Sequence, residues 1–270
     1  MLGTIQNFSP FTQALAAGIF AWLLSGVGAG LIFAVKGFNQ KFFDVMLGFA
    51  GGVMIAATFW SLLEPSIEMS SSFSVHPWFP AASGFLLGTI FLRILDKALP
   101  HVHLGFSREE YEGIKTSWPR STLLVLAITL HNIPEGLALG VAIGAAAAGF
   151  PEASIAAALA LTIGIGFHNI PEGFAVSAAV RREGFSKAKS LWYGQLSAAV
   201  YPAAALIGLA AVVWTRALLP YALGFAGGAM IFVVVEEVIP ESQVGGNADL
   251  ATAGTIIGFL GMMILDVAIG

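Results

Sequence analysis

The sequence predicts an all-α, polytopic membrane protein: eight transmembrane helices built as inverted repeats, helices 1–3 against helices 6–8 and helix 4 against helix 5. Three observations carry this. Of the 270 residues 57% are hydrophobic and only 10% charged, whereas a soluble domain carries about 25% charged residues. Apolar runs occur eight times, each near the roughly 20 residues that a helix needs to cross a bilayer. Several short strings also occur twice, on runs of opposite direction. The shortage of charge argues against a soluble enzyme, a disordered chain and a nucleic-acid binder. Strands are a poor alternative, because the runs are continuous and lack the alternating ten-residue pattern of a membrane barrel. The absence of cysteine removes disulfides, thiolate ligands and cysteine nucleophiles together. The first residues lack the basic stretch of a cleavable signal peptide, and the first apolar run is long enough to span.

In chain order, the runs lie near 11–35, 42–63, 78–98, 121–148, 153–180, 190–214, 218–239 and 250–269, bounded by charges, Pro and Gly. The basic residues orient them. Lys36 and Lys41 lie between the first and second runs, and Arg93, Lys97, Arg108, Lys115 and Arg120 flank the connection from the third to the fourth. Arg181, Arg182, Lys187 and Lys189 lie between the fifth and sixth. Of the twelve Lys and Arg, this leaves Arg216 on the other side. The positive-inside rule places those three connections in the cytoplasm of a cell (inner or plasma) membrane, with both termini outside. The longest connection, about 99–119, is then cytoplasmic and holds His101 and His103.

The repeats give the topology its symmetry. His131-Asn132-Ile133-Pro134-Glu135-Gly136 recurs unchanged as His168-Asn169-Ile170-Pro171-Glu172-Gly173. Gly51-Gly52-Val53-Met54-Ile55 is echoed by Gly227-Gly228-Ala229-Met230-Ile231, and Ile94-Leu95-Asp96 by Ile264-Leu265-Asp266. Even runs pair with odd ones, so the halves have opposite orientation. This architecture is common among secondary transporters, with the substrate near the midplane.

The doubled hexapeptide carries the chemistry. His131 and Glu135 are four residues apart and share a helix face, and Asn132 and Glu135 are three apart and adjacent. Pro134 has no N–H and crowds the carbonyl of Leu130; Pro171 does the same at Phe167. Such opened carbonyls are tolerated at membrane depth only inside protein or facing a watery cavity. Both copies lie at comparable distances from a turn around Gly149-Phe150-Pro151, so two His, two Asn and two Glu converge at similar depth. Two buried carboxylates are costly alone, and one divalent cation balances both. Imidazole with carboxylate suits zinc, iron or manganese, and cadmium less well than thiolate would. A proton relay would also use intramembrane acids, but leaves the accompanying His and Asn unexplained.

At these residues the sequence resembles the ZIP (Zrt/Irt-like) family of divalent metal transporters, in its bacterial GufA-like branch. The resemblance spans nearly the whole chain, from Gly52–Leu63 through both hexapeptides to Arg181-Arg182-Glu183-Gly184, Gly194-Gln195-Leu196-Ser197 and Glu236-Glu237-Val238-Ile239-Pro240-Glu241. It implies one transporter domain over 1–270, metal ions and lipid as partners, no resident cofactor and a homodimer. It also implies a two-metal site, the main metal on His131, Glu135, Glu172 and Met54. A second metal would use Asn132 and Asn169 and share both Glu. Where the family commonly has a carboxylate before a Pro, this chain has Tyr201, whose neutral phenol is a poor ligand. One tight site with a weaker or empty neighbour is therefore expected. His168 is either a ligand or part of the path lining. Glu68 and Asp266 form an acidic outer entrance or are solvated helix-end acids. Glu236 and Glu237 form an inner exit or are interfacial charges.

The implied function is uptake of a divalent transition metal into the cytoplasm, Zn2+ first, with Cd2+, Fe2+ and Mn2+ sharing the ligand types. Alternating access would move the site-bearing helices past helices 2, 3, 7 and 8. The alternative is an intramembrane zinc-dependent hydrolase, with a water on the metal. The His-Glu-x-x-His signature of zinc proteases is absent, and a hydrolase needs no inverted repeat.

Overall fold

The computed structural model describes residues 7–34, 39–71, 75–99, 116–149, 153–213 and 216–269; His101, His103, Phe150 and Pro151 lie outside them. Eight helical segments among the described residues are long and apolar enough to cross a membrane, and no strand occurs there. They are α1 (Pro10–Phe33), α2 (Gln40–Ser70), α3 (Trp78–Ala98), α4 (Arg120–Ala147), α5 (Ile155–Arg182), α6 (Lys187–Val213), α7 (Leu219–Val244) and α8 (Ala248–Ile269). Side-chain caps start several of them. Asn39 accepts from Phe42 N at 3.2 Å, Ser154 from Ala157 N at 2.9 Å and Ser186 from Lys189 N at 3.3 Å. Each cap satisfies one of the donors that a helix start leaves free.

Three features of these helices matter. First, α2 runs to Ser70 and α7 to Val244, beyond the expected ends at 63 and 239, because each passes through a π-helical segment before its proline: Thr58–Leu63 before Pro65, and Val234–Val238 before Pro240. A π segment inserts a residue into the helix and lets the chain continue past a proline that would otherwise end it. Second, α6 is broken into Lys187–Ser197 and Tyr201–Val213 by a turn at 198–200. Pro202 has no N–H and crowds the carbonyl of Ala198. The turn redirects the N–H of Tyr201 to Ala198 O at 3.1 Å, so Ser197 O loses its ordinary helical partner. Third, α4 and α5 stay helical through Pro134 and Pro171.

The helices form two groups. In one, α2 packs on α8 and α3 on α7; in the other, α1 packs on α5 and α4 on α6. Glycines at four-residue spacing let the backbones of the first group meet. A Cβ on Gly52 would lie 1.9 Å from Thr255 O, and one on Gly258 2.1 Å from Phe49 O. The α3–α7 seam matches it: a Cβ on Gly88 would lie 2.0 Å from Phe225 O, and one on Gly228 2.0 Å from Phe85 O. Without hydrophobic driving force in lipid, helix pairs gain from such close backbone approach. Between the groups α2 lies on α5 and α7 on α4, which brings the π segment of α7 beside the hexapeptide of α4.

Candidate metal centre

The centre is built on three helices. Pro134 and Pro171 sit inside α4 and α5, and the residues around them are almost entirely buried. Relative exposure is 5% for His131, 1% for Asn132 and Glu135, 0% for His168, 1% for Asn169 and 6% for Glu172. Glu135, His168 and Glu172 each offer one ligand atom, and these atoms lie within 4.8 Å of one another. Nε2 of His168 is 2.9 Å from Oε2 of Glu135 and 3.9 Å from Oε1 of Glu172. Oε1 of Glu135 is buried without a hydrogen-bond partner. An unsatisfied carboxylate oxygen at such depth costs free energy that a bound cation would return.

Tyr201, from the start of the second half of α6, closes the centre from the other side. Its hydroxyl donates to Oε2 of Glu135 and lies 2.8 Å from Oδ1 of Asn169 and 3.3 Å from Oδ1 of Asn132. The two amides are held in place through their nitrogens. Asn132 Nδ2 donates to Ser197 O at 2.9 Å, the carbonyl released by the break in α6, and Asn169 Nδ2 donates to Ala21 O of α1 at 3.1 Å.

The other residues marked by the sequence are distributed as follows. His131 does not join Glu135, His168 and Glu172; its Nε2 contacts Oε1 of Glu237, in the π segment of α7. Glu236, one residue earlier, pairs with Arg93 of α3 at 3.0 Å, and Arg93 also reaches Asp96 at 3.4 Å. Met54 is wholly buried in α2, just before the π segment. Its carbonyl accepts from Thr58 Oγ1 at 2.8 Å. Asp266 is buried rather than solvated, and both its carboxylate oxygens accept from Ser61 Oγ of α2, at 2.8 and 3.0 Å. Glu68 is exposed near the end of α2. His76 is exposed and stacks on Trp78.

The resemblance put His131 in the main-metal set and left His168 as a ligand or path lining; in the structure His168, rather than His131, stands beside the two carboxylates. Two identical hexapeptides carry no mark that says which imidazole turns toward the carboxylates. The π segments were not foreseen either, although a proline follows closely on each.

Comparison with known proteins bears on what such a centre is for. A family model described as ZIP zinc transporter matches residues 105–266. Human zinc transporter ZIP11 is 38% identical over 98% of this chain and 100% of its own length. The chain belongs to the ZIP family. Among its other relatives are zinc transporter GufA of Myxococcus xanthus, 37% identical over 95% of this chain and 100% of that protein. Zinc transporter ZIPB of Bordetella bronchiseptica is 34% identical over 99% of this chain and 84% of that protein. The GufA-like branch expected from the doubled hexapeptide is consistent with these matches. Membership points to a transporter rather than an enzyme, so the hydrolase alternative falls away.

Proposed function

We propose that this ZIP protein carries divalent transition-metal ions across a cell membrane into the cytoplasm, Zn2+ foremost, through the buried centre between α4 and α5. The observation that carries the reading is the convergence of Glu135, His168 and Glu172 within 4.8 Å, inside helices apolar enough to span a bilayer. Two carboxylates and an imidazole form a donor set that suits zinc and, less selectively, Fe2+, Mn2+ and Cd2+. One divalent ion balances both carboxylates, which removes most of the cost of holding them away from water. The zinc transporters among the relatives support the same substrate.

The two helix groups suggest how the ion moves. α1, α4, α5 and α6 carry the centre. The glycine seams of α2 with α8 and α3 with α7 build a body against which that carrier would slide. Exchanging helices 1–3 for 6–8 and 4 for 5 maps each of the four main packing pairs onto another: α2–α8 onto α7–α3, and α4–α6 onto α5–α1. This correspondence supports the inverted-repeat reading. With both termini outside, His131 and Glu237 lie on the inner side of the centre, and handing the ion to that pair would begin its release. Met54 would serve the centre from α2, Glu68 and Asp266 would belong to the outer approach, and the working unit would be a homodimer.

The test uses purified protein in liposomes loaded with a zinc-sensitive dye. Added zinc should raise the dye signal with wild-type protein and not with Glu172→Ala. An equal response with and without protein, or full activity of Glu172→Ala, would sink the proposal.

A further inference from the structure

Tyr201 is the largest fully buried side chain among the described residues, and its surroundings are not those of an ordinary buried phenol. Its hydroxyl faces three side-chain oxygens: Oε2 of Glu135, Oδ1 of Asn169 and Oδ1 of Asn132. A phenol has one proton to donate. A single acceptor would satisfy it; here three oxygens from two helices converge on one point. Both amides are fixed with their oxygens inward, because their nitrogens are committed to Ser197 O and Ala21 O. Carbonyl and carboxylate oxygens gathered in this way are the donor set of a divalent cation.

We propose that the Tyr201 hydroxyl is a built-in plug: it occupies the oxygen cage formed by Asn132, Glu135 and Asn169, and so restricts the adjoining centre to one metal ion at a time. This rests on reading Glu135, His168 and Glu172 as a metal site. The charges agree with it. Glu135 and Glu172 together balance one divalent ion. A second ion in the cage would meet two neutral amides and an already shared carboxylate, and its charge would stay uncompensated in a buried place. The phenol supplies an oxygen and a proton there without supplying a charge. It also crosses from α6 to both metal-bearing helices, so the cage keeps its shape when the centre is empty. Tyr201 is thus a specificity-determining residue that sets the number of ions carried per event.

The experiment counts zinc. Detergent-purified protein is dialysed to equilibrium against zinc just sufficient to saturate the wild type, and bound metal per chain is measured by elemental analysis for wild type and Glu135→Ala. The difference counts the ions held by the centre. One ion lost supports the plug. Two ions lost overturns it. No loss overturns instead the reading of the centre as a metal site, and the plug with it. In the Tyr201→Glu background, which replaces the phenol by a charged ligand, the same Glu135→Ala difference should rise to two ions; a difference of one overturns the plug. Should Tyr201→Glu fail to give monodisperse protein on size exclusion, zinc anomalous scattering from wild-type crystals decides alone. One peak between α4 and α5 is expected, and two would contradict the proposal.

Discussion

The hexapeptide of α4 and that of α5 are letter for letter the same, yet their histidines have different employers. In α5, His168 turns to the carboxylates, 2.9 Å from Glu135 and 3.9 Å from Glu172. In α4, the equivalent His131 turns to Glu237 of α7. The glutamates do the reverse and behave alike, Glu135 and Glu172 both lying in the cluster. The asparagines also behave alike, each anchoring its nitrogen on a backbone carbonyl of another helix, Ser197 in α6 and Ala21 in α1. What separates the copies is the neighbour. α4 lies against α7, whose π segment presents a carboxylate. α5 lies against α2, whose corresponding π segment reads Thr58-Phe59-Trp60-Ser61-Leu62-Leu63 and offers none. A repeated motif thus yields one imidazole beside the two carboxylates and one beside Glu237; under the proposed function the first would hold the ion and the second pass it on.

The largest effect should fall on what the copies share. Glu135→Ala and Glu172→Ala should each reduce zinc affinity by about 100-fold or more, since a lost ligand exceeds the 10–100-fold cost of losing a partner behind one; isothermal titration of solubilised protein measures both. A large gap between the two glutamates would break their equivalence. The histidines should then part. His168→Ala, which also removes a proposed ligand, should weaken zinc binding by about 100-fold or more, whereas His131→Ala should leave the equilibrium affinity within a few fold and slow the dye response in liposomes. The opposite ranking in titration would show that the two imidazoles exchange places once metal binds.

Smaller effects should test the anchors. Asn132→Leu and Asn169→Leu each remove a buried amide bond to a backbone carbonyl, about 1 kcal/mol, together with one oxygen facing the Tyr201 hydroxyl. They should lower the thermal unfolding midpoint in detergent by similar amounts. A much larger loss for Asn132 would mark the break in α6, where it binds Ser197, as the weaker joint. The smallest change belongs to Glu236→Gln. Its pair with Arg93 is nearly half exposed on both sides, and such pairs contribute at most about 1 kcal/mol, so zinc transport should stay near the wild-type rate.

Most of the architecture was legible before any coordinates, because in lipid the rules are few. A chain must hide its backbone in helices, and the ends of α3, α4 and α8 fall within two residues of where charge, Pro and Gly place them. Where prolines interrupt, the reading thins. Pro202 lies inside the run 190–214, expected as one helix, and Pro65 and Pro240 lie just past the expected ends of two others. Whether a helix answers a proline by breaking or by widening depends on what packs around it. The same limit governs the site. Sequence spacing put Glu135 and Glu172 at matching depth, a property of one helix hairpin. It could not orient His131 and His168, because their directions depend on α7, far away in the chain. Tyr201 stood out by sequence only as a poor ligand; that it sits among three inward-facing oxygens required the fold.

The π segments give the molecule a sensitivity of phase. An α-helix advances about 100° per residue, so one residue added or removed within a helix turns everything beyond it like a dial. In α7, before Val234–Val238, Gly224 and Gly228 face α3, and Glu237, inside the segment, faces α4. Deleting a single apolar residue such as Val235 could restore regular pitch without altering one acid, base or ligand. Glu237 would then point away from His131. The handover would be lost through a change of angle alone, in a chain whose composition was all but untouched.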